Sequence, residues 1–156
     1  MCASYVGLMR IFALIILAAA WAGCSAIQPQ SGPNIVKVLP HYLDAFGNHS
    51  DGPTLLHRDV YQDKLRKNPD LVRAVRYDVN WRGTGEVKVR LELRSTKAGV
   101  ETMIIERVET ASGRRSHWTA ILIDATTYKT FGQPESWRVS LWQGETQVGE
   151  QKSFLW

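Results

Sequence analysis

The stretch Val75–Leu93, VRYDVNWRGTGEVKVRLEL, decides the fold. Val75, Tyr77, Val79 and Trp81 alternate with Arg76, Asp78, Asn80 and Arg82. After Gly83-Thr84-Gly85 the same pattern returns, with Val87, Val89, Leu91 and Leu93 set between Glu86, Lys88, Arg90, Glu92 and Arg94. A period of two sends one set of side chains to a core and the other to solvent. Two such arms around a glycine turn predict a half-buried antiparallel hairpin with a solvated face of mixed charge.

Further strand signals lie on both sides. Ile35–Leu43 reads as a strand interrupted by Pro40, which suits an edge because proline cannot donate to a ladder. Val100–Glu109 and His117–Asp124 are strands joined by a turn at Ala111–Arg115. Ala125–Ser136 is a longer connection, and a last hairpin pairs Trp137–Gln143 with Gln147–Trp156 around Gly144-Glu145. Between the first strand and the hairpin, Asp44–Pro53 is a loop and His57–Asn68 a helix. Asp59 can cap it, with Gln62 three residues on, Val60, Lys64 and Leu65 near one side, and Lys64, Arg66 and Lys67 in the last turn. About seven strands, one short helix and no βαβ alternation predict an all-β fold, an antiparallel β-sandwich.

The segment Phe131–Leu141 (FGQPESWRVSL) is similar to the approach to the penultimate strand of immunoglobulin-like and fibronectin type III domains. An apolar residue there precedes by six an aromatic that opens an alternating strand. Trp137 stands where tyrosine is usual, and the inter-sheet cysteine pair of antibody domains is absent. The resemblance implies an immunoglobulin-like sandwich over residues 35–156 and, since sandwiches host many activities, no particular function.

The amino terminus carries the clearest address. Ile11–Ala22 is twelve apolar residues behind Arg10, the length of a signal-peptide core and short of the roughly 20 that span a bilayer. Trp21-Ala22-Gly23-Cys24 resembles the lipobox of bacterial lipoproteins in its last three places, with Trp21 where leucine is usual. The resemblance implies cleavage before Cys24, acyl chains on that residue and stable attachment to a membrane. Ser25, rather than aspartate, implies outer-membrane sorting with the domain facing the periplasm. A plain secretory signal and an uncleaved anchor remain open alternatives. Residues 1–23 would be a signal peptide, and 24–34, with Pro29, Gly32 and Pro33, a lipidated linker.

Removing the 23 residues before Cys24 leaves 133, enough for one domain, and lowers the formal charge from +4 to +3. That charge does not call for nucleic acid. Cys2 and Cys24 are the only cysteines, so the domain has no thiol for a disulfide, a zinc–thiolate site or a nucleophile. GxSxG, HExxH and P-loop patterns are absent. Ser112 and Ser116 lie near His117, but no orienting acid is implied, so a small hydrolase is the weakest reading. No cofactor is implied.

The polar cluster His41, Asp44, His49, Asp51, His57 and Asp59 offers weak metal candidates, chiefly the first four, though its spacing matches no ligand motif and suits a loop. If Trp137, Val139 and Leu141 face the core, Arg138, Ser140 and Trp142 face out, and Trp142 is a candidate for stacking on a sugar or anchoring a partner. Trp156, after Phe154-Leu155, raises the same question. The basic groups Lys64/Arg66/Lys67 and Arg114/Arg115/His117 read first as solvated faces. The expected role is a non-catalytic envelope adaptor contacting another envelope component. The alternative is a module that binds carbohydrate through an exposed tryptophan or a divalent metal through the His/Asp loop.

Overall fold

The computed structural model describes residues 32–113 and 115–156; the leader, Cys24, most of the linker and Arg114 lie outside it. Seven strands form two antiparallel sheets. Strands β1 (Asn34–Leu43), β2 (Ala74–Arg82) and β5 (Ser116–Ile123) make one, in the order β1-β2-β5. Strands β4 (Met103–Ala111), β3 (Gly85–Ser95), β6 (Pro134–Gln143) and β7 (Thr146–Lys152) make the other, in the order β4-β3-β6-β7. This is the two-sheet antiparallel sandwich that the strand pattern predicts. Antibody constant domains place the fourth strand on the first sheet. Here β4 pairs with β3 instead.

One expectation needs correction. The arms of Val75–Leu93 are not a hydrogen-bonded hairpin: β2 pairs with β1 and β5, and β3 with β4 and β6. Gly83 and Thr84 carry the chain from one sheet to the other. The alternation is real, because Val75, Tyr77, Val79 and Trp81 meet Val87, Val89, Leu91 and Leu93 across a shared core. Period two reports which side chains point inward and not whether the next strand lies beside or opposite. Gly83 is needed at the crossing, since a Cβ there would sit 3.0 Å from the Pro33 ring and 3.2 Å from Trp81. Burial of each large apolar side chain contributes about 1.5–3 kcal/mol, so these eight residues dominate the cohesion. The one polar atom of the Trp81 ring donates to Thr119 Oγ1 at 3.0 Å.

The edges follow sequence more closely. Pro40 lies in β1, an edge strand, opposite Tyr77. Strands β6 and β7 form the expected last hairpin. Strand β7 stops at Lys152, short of the expected Trp156, because Ser153 accepts from Trp137 N through its hydroxyl and curls the terminus away.

Helix α1 (Leu55–Lys67) starts before the expected position. Thr54, not Asp59, caps it: the Thr54 hydroxyl accepts from His57 N, while Asp59 lies inside the helix against Arg58. Asn68 closes it before Pro69, and a 3-10 turn (Pro69–Leu71) follows. The supposed long connection contains a second helix, α2 (Ala125–Phe131), capped by Asp124 and buried through Tyr128 and Phe131.

Both helices lie at one end of the sandwich, with the loops after β1 and β3. The described chain begins at the other end, where Pro33 meets Gly83 and Gln143 donates to Thr84 O.

Candidate functional site

Trp142, Trp156 and Arg138 lie on the outward face of the four-stranded sheet, as strand parity predicted for Trp142 and Arg138. Register places Lys88 beside Trp142, Arg90 beside Ser140 and Glu92 beside Arg138. Arg138 Nε donates to Glu92 Oε2, and that bond raises the guanidinium pKa still further. Arg90 Nε donates to Glu106 Oε1 at 2.6 Å, which is the main reason that the Glu106 carboxyl lies below its ordinary range. Trp156 returns from the terminal turn to within 4.2 Å of the Arg94 guanidinium and 4.9 Å of Arg138. Trp142 is half-buried, with Arg90 4.9 Å from its ring centre and its N–H donated to Ser140 Oγ at 2.8 Å. The structure therefore joins Arg138 to Trp156 and gives Trp142 its own stack, four residues along β6. Cation–π and ion pairs lace this face together.

The His/Asp loop divides differently. The His41 and His49 rings lie 4.8 Å apart, and His41 Nε2 is 3.7 Å from Asp78. Burial first, and His49 second, hold the His41 pKa below its ordinary value against the pull of Asp78. Asp44 is spent on the loop itself: its carboxylate accepts from Phe46 N and Asn48 N at 2.8 Å and from Tyr61 Oη at 2.7 Å. Desolvation alone would raise its pKa, but these hydrogen bonds outweigh it and hold the group low. His57 pairs with Thr54. Asp51 is exposed in the same loop. Among the described residues no group of three or more His, Cys, Asp or Glu is placed to hold a metal.

Ser116 is committed elsewhere than a relay. Its hydroxyl exchanges hydrogen bonds with the Asn80 amide at 2.6 and 2.9 Å, while the His117 ring lies 4.9 Å from that of Trp81.

Among the exposed apolar side chains that escaped sequence reasoning, two features stand out beside Ile104 and Val108 on β4. Trp118, 53 % exposed, stands on the outward face of edge strand β5 with Leu122 nearby on the same parity and Lys37 5.2 Å from its ring. The second is larger. Helix α1 packs inward through Gln62 and Leu65, and Gln62 ties it down by accepting from Tyr42 N and donating to Tyr42 O and His49 O at 2.7–2.9 Å. At 100° per residue, Leu56 and Val60 then point almost directly away from that seam. They are 72 % and 60 % exposed, and Phe46 projects from the tied loop at 88 %. Parity could not reveal Trp118, and Val60, grouped by sequence with Lys64 and Leu65 on one side, faces away from Leu65, whose buried companion is the polar Gln62.

No helix of the described residues is long and apolar enough to cross a membrane. No family model, no curated protein and no solved structure matches the chain.

Proposed function

We propose that the chain is a bacterial envelope lipoprotein, acylated on Cys24, whose sandwich is a non-catalytic adaptor for another envelope protein. The observation that carries the adaptor reading is the outward apolar face of α1 with Phe46. Large apolar side chains exposed on a braced helix, with a further one on the loop tied to it, are the composition of a contact surface. Helix α1 contains Arg58, Lys64, Arg66 and Lys67 against Asp59 and Asp63, so it is net basic. The complementary partner is a protein surface with an apolar centre and an acidic rim. The face lies at the end of the sandwich away from Asn34, which suits a tether at one end and a working surface at the other.

Two measurements test this. Cys24→Ser should abolish labelling by a palmitate analogue; unchanged label sinks the lipoprotein reading. Leu56→Asp with Val60→Asp should release the partner captured by the native protein while the melting temperature holds. Partner retention, or association with anionic vesicles that this same double variant abolishes, contradicts the docking role.

A second reading, carbohydrate recognition, is favoured by Trp118, whose indole is more open than that of Trp142. Quenching of tryptophan fluorescence by envelope glycans, lost in Trp118→Ala and kept in Leu56→Asp, would select it over the adaptor.

A further inference from the structure

A cleft of about 570 Å³ opens at the helix-bearing end, where the 3-10 turn, the segment after β3 and the last turn of α2 converge. That volume lies within the usual range for small-molecule sites. Val72 and Tyr128 supply its apolar lining, and Arg73, Lys97 and Lys129 its cations, against the single carboxylate of Asp70. Thr96 N donates to Gln133 O at 3.0 Å and clamps two of the walls together.

Lys97 is held in place. Its stem crosses Gly132, where a Cβ would lie 2.9 Å from Lys97 Cε. Its ammonium donates to Lys129 O at 2.7 Å and to Thr130 O at 3.2 Å, the carbonyls at the end of α2. An ammonium has three protons, so one is left for a ligand. The phenol of Tyr128 is neutral at physiological pH, and burial first and Tyr42 second push its pKa further up, to about 12.

We propose that this cleft binds an organic phosphate, with the phosphate on Arg73, Lys97 and Lys129 and the organic part against Val72 and Tyr128. A phosphate monoester carries nearly two negative charges at neutral pH and three acceptor oxygens. It matches a site with a surplus of two cations better than a carboxylate does, and Arg73 can engage it in bidentate fashion. A soluble sugar phosphate and a phosphorylated lipid headgroup share this chemistry. The site is independent of the outward face of α1.

The test uses the full chain with Cys24→Ser, titrated calorimetrically with glycerol 3-phosphate and with glycerol. Binding should saturate for the phosphate only, weaken with added salt, and weaken about tenfold or more in Arg73→Gln or Lys97→Gln. Arg73→Gln removes an exposed side chain, so it reports on binding even if Lys97→Gln frays α2. Asp70→Asn should tighten binding. Sedimentation with phosphatidylcholine vesicles, with and without phosphatidic acid, identifies the source. Retention on phosphatidic acid that Arg73→Gln abolishes assigns a lipid headgroup; soluble binding without retention assigns a free phosphate. Binding of neither, or affinity unchanged in both cleft variants, overturns the proposal.

Discussion

Truncating opposite sides of α1 should give opposite results. Leu65 is 1 % exposed, seated in the main core, and Leu65→Ala should leave a cavity costing about 3 kcal/mol. For the roughly 125 described residues, an unfolding entropy of about 2.1 cal/mol/K per residue gives about 0.26 kcal/mol per degree, so the melting temperature should fall by about 12 °C. Leu56→Ala and Val60→Ala remove side chains that face solvent and should stay within about 0.5 kcal/mol, or about 2 °C. Val60→Ala should even gain slightly, since alanine is the better helix former. Thermal melts followed by circular dichroism at fixed pH compare the three. A loss above about 2 kcal/mol for Leu56→Ala or Val60→Ala would mean those side chains are buried, and the docking face would not exist.

Other consequences are equally specific. Gln62→Leu strands Tyr42 N, Tyr42 O and His49 O and should cost about 3 kcal/mol in chemical denaturation, despite adding apolar area. Folding holds the His41 pKa below the ordinary 6.5, so the unfolded chain takes up a proton that the native chain resists. Stability is unaffected by this group above about pH 6.5 and falls as pH drops from there through the lower folded value, and His41→Gln should flatten the slope in denaturation curves taken from pH 7 to 5. The Asp44 pKa is depressed as well, but here because hydrogen bonds favour the charged form, so its contribution disappears only at more acidic pH; Asp44→Asn should blunt the acid limb below about pH 4 and leave neutral pH comparatively flat.

The sandwich was legible in Val75–Leu93 because eight inward side chains repeat at period two without a break. Pairing was not legible, because facing strands and neighbouring strands present the same alternation. The outward set Arg138, Ser140 and Trp142 could be read because Val139 and Leu141 leave no doubt about parity. Strand β5 defeated the same logic: Trp118, Ala120 and Leu122 are as apolar as Ile121 and Ile123, so the side facing out was undetermined. Helix α1 misled for a physical reason. Its inward position 62 is a glutamine, satisfied by three backbone groups, and its outward positions 56 and 60 are aliphatic. Helix α2 has only seven residues with two adjacent threonines, and little in it outweighs a loop reading except the Asp124 cap and the Tyr128/Phe131 spacing. The binding cleft draws Arg73, Lys97 and Lys129 from three separated segments, which no local pattern reveals.

The adaptor reading stands or falls on contact at the outward face of α1. A photo-cross-linking residue placed at Val60 in whole cells, with an exposed control at Thr146 on the opposite end, measures that contact directly. The account expects one discrete protein adduct from position 60, none of it from position 146, and its loss when Leu56→Asp is added. Equal adducts from both positions, or an adduct from position 60 that survives Leu56→Asp, would contradict it.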